Sequence, residues 1–380
     1  MKGRALMIAT VPSMIGQFNM NNIRMLQDLG YEVDVACNFS DTTVWPEDRI
    51  KQFKDNMKAR GVSCFHLSFS RKLSKINRHF LSYREFKKLI HRRHYSLIHT
   101  HTPIASVIVR LAARKMKVVL IYTAHGFHFY SGAPFLNWMM FYPLEKWLSR
   151  YTDVLITINK EDYRRALASF NARKTVYVPG IGVDIHKFAY RQDAKDRIRS
   201  ELNITNNQIL FLSVGELNRN KNHETVVKAI RDINATYIIV GEGALKESIK
   251  SISAKYGVDV RMVGFRKDVA DFYSAADIYI LPSIREGLNV SLMEAMASGL
   301  PVVCGRIRGN VDLIEEEKGG SLFNPVSEND LKHKLTNLLE KREQFKDIGR
   351  YNQAKIKSFS CEAVNQMMET IYRSCFDDEG

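Results

Sequence analysis

Two glutamates, Glu286 and Glu294, flank a stretch whose residue types suit the binding of an anion. Residues 277–281 form an apolar, β-branched run typical of a buried strand, and residues 291–298 are rich in helix-forming side chains. The first turn of such a helix offers free backbone N–H groups and the positive end of the helix dipole. Either glutamate alone is most simply a surface acid, so its function has to be argued from the residues around it.

The elements around these glutamates are predicted to be a strand, a glycine-containing loop, a short helix and the next strand. Asn289 or Ser291 can cap the helix, because a side-chain oxygen at that position accepts a hydrogen bond from the first turn. Gly299 suits the left-handed position after the helix, and Pro301 prevents its continuation. Open α/β sheets bind ligands at the carboxyl ends of parallel strands, so we expect a ligand site here.

The spacing of the two acids, with Gly287 after the first and EAMASGLPVV around the second, resembles the nucleotide-sugar signature of family-4 retaining glycosyltransferases. The resemblance implies the GT-B fold, an α/β fold of two Rossmann-like, doubly wound parallel-sheet domains that face each other across a cleft. It also implies that Glu286 faces the transferred sugar and that Glu294 holds the donor ribose. The residues implied to present backbone N–H groups to the sugar and the diphosphate are Leu288, Asn289 and Val290.

A second polar loop, residues 215–222, follows the predicted strand 209–214. Arg219 and Lys221 lie where a strand, a loop and a helix succeed one another, and two cations at such a tip suit a diphosphate. In the family that the chain resembles, an arginine and a lysine of this loop bind the diphosphate. Lys221 matches that lysine, whereas Glu216 occupies the usual position of the arginine, so Arg219 is the candidate replacement.

Two further donor contacts are implied by the resemblance. The segment Gly264, Phe265 and Arg266 matches the one that holds the nucleotide base, mainly through backbone groups. Relatives often have a glycine-rich loop near the diphosphate after the first strand, and Gly16 is the glycine that this chain offers in its predicted loop 12–16. Since that loop lacks G-x-G-x-x-G, a dinucleotide-binding dehydrogenase is disfavoured.

Three histidines follow or end two predicted strands, residues 97–101 and 118–122. His125, which precedes a glycine, resembles the family's histidine that faces the donor sugar, and we assign catalysis to His125, Lys221 and Glu286. His99 and His101 are most simply structural. The chain has no Asp-x-Asp and no His-x-x-x-His motif, so we expect no metal and no cofactor besides the UDP-sugar substrate.

The length of 380 residues predicts two domains. The turn residues Pro179, Gly180 and Gly182 indicate a hinge, so we expect an acceptor-side domain over residues 1–178 and a nucleotide-sugar domain over residues 179–359. In similar proteins the final helix, here within residues 360–380, crosses back to the first domain. The N-terminus is not typical of a signal peptide, no apolar run approaches the roughly 20 residues of a membrane span, and the five scattered cysteines favour a reducing, cytoplasmic compartment.

The net charge of +15 is unevenly distributed. Residues 1–150 carry 23 Lys and Arg against 9 Asp and Glu, whereas residues 151–380 carry 33 against 32. Such an asymmetry suggests an anionic partner, either a membrane or a nucleic acid. Because nothing resembles a nucleic-acid recognition module, we expect an anionic membrane surface and no nucleic acid.

Two segments of the first domain are candidates for contact with such a membrane surface. Residues 71–93 hold nine Lys and Arg with one acid, and their apolar residues recur near helical spacing. They predict an amphipathic basic helix, packed on the sheet as an ordinary surface helix or lying against anionic lipid. Residues 133–144 are apolar and aromatic but too short to span a bilayer. They predict a core helix, which we favour, or the wall of a groove for a lipid-linked acceptor.

The run TAHGFHFYSGAP and the segment after it resemble the bacterial capsule and exopolysaccharide subgroup of the family. We therefore expect a sugar to pass from a UDP-sugar to a polyprenyl-diphosphate-linked saccharide at the inner face of the plasma membrane, with other polysaccharide-synthesis enzymes as further partners. Asn289 offers a contact for a hydroxyl or for an N-acetyl group of the sugar, and we favour UDP-N-acetylhexosamine over UDP-hexose. The alternatives are a GT-B nucleotide-sugar epimerase and a basic nucleic-acid-binding protein.

Overall fold

The computed structural model of the protein describes residues 3–205 and 207–375. The apolar runs of the sequence form the strands of two parallel β-sheets, and the segments between them form helices. The chain divides into two compact units, Met1–Ile181 with Asn365–Gly380 and Gly182–Val364. All strand pairs within the sheets are parallel, and helices connect successive strands. The prediction of two Rossmann-like, doubly wound α/β domains is confirmed.

The first unit holds a seven-stranded sheet of order β3-β2-β1-β4-β5-β6-β7. Its strands are β1 (Gly3–Ile8), β2 (Tyr31–Cys37), β3 (Ser63–His66), β4 (Leu97–Thr100), β5 (Val119–Ala124), β6 (Val154–Thr157) and β7 (Lys174–Tyr177). Its helices are α1 (Pro12–Phe18), α2 (Met20–Asp28), α3 (Glu47–Ala59), α4 (Ile76–Arg93), α5 (Pro103–Ala113), α6 (Phe135–Ser149) and α7 (Lys160–Ser169).

The second unit holds a six-stranded sheet of order β10-β9-β8-β11-β12-β13. Its strands are β8 (Ile209–Val214), β9 (Ala235–Val240), β10 (Asp259–Gly264), β11 (Ile278–Leu281), β12 (Val302–Gly305) and β13 (Gly320–Phe323). Its helices are α8 (Gln192–Glu201), α9 (His223–Ala229), α10 (Lys246–Tyr256), α11 (Val269–Ala275), α12 (Val290–Ala297), α13 (Asn310–Leu313), α14 (Glu328–Glu340) and α15 (Phe345–Ile356), with 3₁₀ turns at Arg342–Gln344 and Lys357–Phe359. The last helix, α16 (Cys361–Ser374), joins the first unit from Asn365 onward.

The sheet of the second unit is buried on both faces because successive side chains of a strand point to opposite sides. In β8, Leu210 and Leu212 pack into one apolar cluster, whereas Phe211 packs into another on the opposite face. Helices cover both clusters, so the strands read as continuous apolar runs in the sequence.

The structure differs from the sequence prediction just after β1. Residues 12–16 were expected to form a loop, but they belong to α1, and α2 follows from Met20. Pro12 explains the early start, since its fixed φ and missing N–H suit the first helical position. Gly16 therefore lies inside a helix, where an added Cβ would come within 2.3 Å of the Trp45 ring.

The helices predicted from residues 71–93 and 133–144 both form, as α4 and α6. The preference for a buried core helix over residues 133–144 was wrong. Only Glu145, Leu148 and Ser149 of α6 are buried, and most of its large apolar side chains are exposed. None of the described helices combines the length and the apolarity that crossing a membrane requires.

Gly16→Ala is expected to destabilise the protein, because the new methyl group overlaps Trp45 and also lies 3.1 Å from Phe53. Overpacking of this kind costs about 1–3 kcal/mol, more than the roughly 1 kcal/mol that alanine gains over glycine inside a helix. Thermal unfolding of the variant, with the exposed neighbour Gln17→Ala as the control, checks this. A melting temperature equal to or above that of the wild type would contradict the packing argument.

Candidate functional site

The candidate site of the second unit lies where the order of strands in the sheet reverses its direction. The chain passes from β8 to β9 on one side of β8, whereas β11 pairs with β8 on the other side. The loops after β8 and β11 thus leave the sheet edge in opposite directions, and open α/β sheets bind ligands at such points. These two loops, residues 215–222 and 282–289, hold half of the residues that the sequence assigned to the donor.

Backbone and side-chain hydrogen bonds join the two loops. The Ile284 N–H donates to the Asn220 carbonyl at 2.9 Å, and Asn220 Nδ2 donates to the Arg285 carbonyl at 2.9 Å. Asn222 adopts the left-handed conformation and donates through Nδ2 to the carbonyls of Pro282, at 3.3 Å, and Pro325, at 2.8 Å. The loop that carries the lysine is therefore held against the loop that carries the first glutamate.

Lys221 and Glu286 form an ion pair across these loops, with 2.8 Å between Nζ and Oε1. Each side chain is 17% exposed, so both charges are largely but not fully withdrawn from water. The Lys221 N–H also donates to Asn218 Oδ1 at 2.9 Å, which holds the backbone of the lysine. The structure therefore brings together two of the three residues that the sequence assigned to catalysis.

Helix α12 begins beside this ion pair. Asn289 is its cap, and Asn289 Oδ1 accepts a hydrogen bond from the Leu292 N–H at 3.1 Å, which confirms one of the two predicted caps. Ser291 anchors the same turn, because its hydroxyl lies 3.2 Å from the Val214 carbonyl at the end of β8. The N–H groups of Val290 and Ser291 have no acceptor one helical turn earlier, so the helix presents donors at this end.

Glu294 lies on α12 with its carboxylate against an aromatic hydroxyl. The Tyr273 hydroxyl donates to Glu294 Oε2 at 2.8 Å. Burial raises the pKa of Glu294 to about 7, although the Tyr273 hydrogen bond and the charge of Lys187 oppose that rise. The carboxyl group therefore changes its protonation near neutral pH and gains from any further hydrogen-bond donor that favours the charged form.

The predicted base-binding segment follows β10, two strands from β8. The Gly264 carbonyl accepts from the Gly241 N–H at 2.9 Å, and Phe265 is 72% exposed. Arg266 is engaged within the protein, since its guanidinium pairs with Asp268 at 2.9 Å and with Glu201 at 2.8 Å. Only backbone groups and the Phe265 ring remain for a base, and the predicted contacts here stay predictions.

The other predicted residues lie apart from the ion pair. Arg219 is exposed on the loop after β8, with no hydrogen bond or ion pair to the rest of the described chain. Gly16 lies in α1 of the first unit, where contact with Trp45 accounts for the need for glycine. Their assignment to the donor stays a prediction.

His125 belongs to a row of three histidines at the strand ends of the first unit. His99 is buried, with Nδ1 2.8 Å from the Tyr372 hydroxyl and Nε2 2.8 Å from the Thr123 hydroxyl. His101 Nδ1 lies 3.4 Å from His125 Nε2. Burial lowers the pKa of His125 to about 4, and burial together with the nearby His125 lowers that of His99 to about 3. Both imidazoles are therefore neutral near pH 7.

Sequence reasoning missed one residue that contacts the loop after β11. Arg308 Nε donates to the Glu286 carbonyl at 3.2 Å, which places a guanidinium beside the ion pair. The neighbouring Gly309 has a φ of 81°, and an added Cβ would lie 2.2 Å from the Gly287 carbonyl. The available signal was the arginine–glycine pair shortly after β12, at the carboxyl edge of the sheet. Among the described residues, no group of three metal-ligating side chains is suitably placed to hold a metal ion.

Two protein-family descriptions match this chain. Glycosyl transferases group 1 matches residues 194–355, and Glycosyltransferase Family 4 matches residues 15–187. The chain is similar to a Bacillus subtilis (strain 168) protein described as "Putative glycosyltransferase EpsD", with 30% identity over 99% of this chain and 98% of that protein.

The chain is also similar to an Escherichia coli protein described as UDP-Gal:alpha-D-GlcNAc-diphosphoundecaprenol alpha-1,3-galactosyltransferase, with 26% identity over 81% of this chain and 80% of that protein. Among solved structures, Anabaena Alr3699/HepE in complex with UDP superposes with a TM-score of 0.78. It is 19% identical and the match covers 98% of this chain and 100% of that one, a likeness that establishes the fold alone.

Lys221→Met is expected to cost about 1–3 kcal/mol of stability, because it leaves the partly buried Glu286 carboxylate without its cation and hydrogen-bond donor. Glu286→Gln in the same protein relieves that charge, so the double variant is expected to be more stable than the sum of the single effects indicates. Chemical denaturation of the four proteins measures the coupling. Additive effects within about 0.3 kcal/mol would show that the two side chains do not interact in solution.

Proposed function

Because the chain belongs to the family-4 glycosyltransferases, enzymes of the GT-B fold, we propose that it transfers a sugar from a UDP-sugar to a polyprenyl-diphosphate-linked saccharide with retention of configuration. The observation that carries this proposal is the arrangement at the β8–β11 edge. There the Lys221 side chain lies against Gly215, and Ser291 in the first turn of α12 donates a hydrogen bond to the carbonyl of the adjacent Val214. Both the lysine and the start of the helix therefore border the end of β8, and both suit a diphosphate.

The proposed chemistry needs a cationic environment for the departing nucleoside diphosphate. Lys221 and the N–H groups of Val290 and Ser291 supply it, and stabilisation of developing charge is usually the largest catalytic contribution. Arg308 lies next to the same loop, and exposed Arg219 has the freedom to reach an added phosphate. With these groups in place, we propose that no metal ion or other cofactor takes part.

Glu286 has two roles in this proposal. It holds the lysine in place before the donor binds, at 2.8 Å. An ammonium group has three N–H donors, so Lys221 can keep this contact while it also donates to a phosphate oxygen. The other carboxylate oxygen of Glu286 is proposed to face the transferred sugar, and the neutral imidazole of His125 is proposed to accept or donate a hydrogen bond at the sugar.

The sugar itself is proposed to be an N-acetylhexosamine, with a hexose as the alternative. Asn289 Oδ1 is engaged in capping, since it accepts from the Leu292 N–H and from the Ser291 hydroxyl at 2.6 Å. Only Asn289 Nδ2 is left to contact a sugar substituent. The name of the Escherichia coli relative gives UDP-Gal as its donor, which supports the hexose alternative.

The acceptor and the place of action are proposed from two similarities. The name of the Escherichia coli relative describes a diphosphoundecaprenol acceptor, and residues 123–134 resemble the bacterial capsule and exopolysaccharide subgroup. The excess of basic residues in residues 1–150 suits an anionic lipid surface. We therefore place the enzyme in exopolysaccharide or capsule synthesis, peripherally bound at the inner face of the plasma membrane beside other enzymes of that synthesis.

Slow donor hydrolysis tests the reaction class and the donor together. In a panel of UDP-hexoses and UDP-N-acetylhexosamines without an acceptor, we expect release of UDP from one of them and no effect of EDTA. Lys221→Ala is expected to lower that rate by about 100- to 1,000-fold, as loss of a charge-stabilising group does, whereas Lys346→Ala, at an exposed lysine of α15, serves as the unchanged control. Full activity of the lysine variant would remove Lys221 from the mechanism, and conversion of the UDP-sugar into an isomer would indicate an epimerase.

Because the pKa of Glu294 is raised, the affinity for UDP is predicted to depend on pH. If the ribose hydroxyls donate to this carboxylate, UDP binding favours the ionised form, so affinity rises with pH up to about 7 and is constant above it. Below pH 7 the affinity falls by up to about tenfold per unit. Calorimetric titration of the wild type and of Glu294→Gln, in which the phosphate of UDP titrates identically, isolates the carboxylate. Equal pH dependence in the two proteins would contradict a role for Glu294 in binding the ribose.

A further inference from the structure

Helix α6 presents a stripe of large apolar side chains that the first unit does not cover. Its exposed apolar residues are Phe135, Leu136, Met139, Met140, Leu144 and Trp147. Phe135 at the start of the helix is 77% exposed. Single exposed apolar residues are ordinary on a protein surface, but a continuous stripe of this size marks an interaction site.

The helix that carries this exposed stripe is firmly attached to the first unit. On its opposite face, Glu145 forms a buried ion pair with Arg110, with 2.8 Å between Oε2 and Nη2. The Arg110 guanidinium also lies 4.6 Å from the centre of the Tyr122 ring. Because α6 is anchored through this pair and through buried Leu148, its apolar stripe faces outward in the folded unit.

A second apolar group lies at the start of α4 and in the turn before it. Its exposed members are Leu73, Ile76, Phe80 and Leu81. An apolar pocket connects this group with α6, since Leu73 lines it together with Phe141 and Leu144. Gly126 and Phe129, in the loop after His125, line the same pocket. The two groups thus form one apolar surface, called here the α4–α6 surface, that extends to the His125 loop.

Basic side chains lie among the apolar residues of the α4–α6 surface. Its exposed cations near the start of α4 are Arg71, Lys72, Lys75, Arg78 and Arg84, and no acidic residue occurs between positions 71 and 84. The Arg84 guanidinium lies 4.6 Å from the centre of the Phe80 ring, so charge and apolar area are in direct contact. A surface of apolar side chains interleaved with cations is the pattern of proteins that lie in the interface of an anionic bilayer.

We propose that the α4–α6 surface docks on an anionic phospholipid bilayer, with the apolar stripe of α6 inserted into the interface and the cations of α4 on the lipid headgroups. This inference rests on the proposed function in one respect, the lipid-linked acceptor, which would meet the enzyme at that surface. It goes further by assigning insertion to α6, whose sequence indicates a buried helix. The bilayer then lies on the side of the unit that carries the His125 loop.

Co-sedimentation of the full chain with vesicles tests the docking. One set of vesicles is phosphatidylcholine alone, and the other is phosphatidylcholine with phosphatidylglycerol at roughly three to one, whose negative surface attracts basic residues. We expect binding to the anionic vesicles, and Met139→Glu combined with Met140→Glu is expected to weaken it by at least about tenfold. The matched control is Val326→Glu, a substitution at a 77% exposed position of the second unit.

Two further readouts separate insertion from simple charge attraction. Lys72→Gln combined with Lys75→Gln and Arg78→Gln is expected to weaken binding to anionic vesicles only. Brominated lipid is expected to quench the fluorescence of exposed Trp147, and the quenching is expected to disappear in Trp147→Phe. Binding of the Met139→Glu/Met140→Glu variant at wild-type strength, or no quenching of Trp147, would overturn the proposal.

Two controls distinguish bilayer docking from dimerisation and from a loss of catalysis. If gel filtration shows a dimer that the methionine variant abolishes, the surface belongs to a second copy of the chain and the proposal fails. Donor hydrolysis is measured on the same variants, which lie outside the donor-binding residues and are expected to keep it. Lost docking with intact hydrolysis refutes only this inference, whereas docking without any hydrolysis of UDP-sugars refutes the proposed function.

Discussion

Parallel pairing of β8 with β11 is the constraint on which the rest of the candidate site depends. The two strands are neighbours in the sheet but are separated by some seventy residues of sequence, and their loops leave the same edge in opposite directions. The pairing therefore brings residues 215–222 beside residues 282–289 whatever their side chains. The loops are then joined by Asn220 and Asn222, and Lys221 has a fixed position beside the first turn of α12.

Electrostatics at this edge are arranged for an added anion. Lys221 is paired with Glu286, the Arg308 guanidinium donates to the Glu286 carbonyl, and the amino end of α12 follows in the same loop. Glu294 adds a carboxyl group whose pKa is raised to about 7 by burial, so a further hydrogen-bond donor would favour its charged form. In a nucleoside diphosphate, the diphosphate would contact the cationic groups beside Lys221 and the ribose hydroxyls would donate to Glu294, so one ligand would occupy both places.

Much of this site was predictable because its local signals agree with one another. Strand, loop, helix and strand over residues 277–304 follow from an apolar run, a capping residue, Gly299 and Pro301, and Asn289 does cap the helix. The family signature then assigned roles to Lys221 and Glu286, although no local pattern shows that their side chains touch. That contact depends on the order of strands. The contact between His99 and Tyr372, which are 273 residues apart, depends on helix α16 joining the first unit.

The two predictions that the structure overturned, a loop over residues 12–16 and a buried helix over residues 133–144, also failed for physical reasons. Residues 12–16 lie beyond an apolar strand and contain proline and glycine, two signals of a loop, yet Pro12 begins a helix and Gly16 makes room for Trp45. Helix α6 is apolar on nearly every side, and such a pattern usually means burial. Its exposure follows from the position of its anchor, Glu145, whose partner Arg110 lies on another helix.

A crystal structure of the protein with UDP would decide whether Lys221 and the first turn of α12 together bind a nucleoside diphosphate. We expect diphosphate oxygens within about 3 Å of Lys221 Nζ and of the Val290 and Ser291 N–H groups, with the ribose on Glu294. UDP bound elsewhere, with the Lys221–Glu286 pair and the start of α12 untouched, would contradict this expectation.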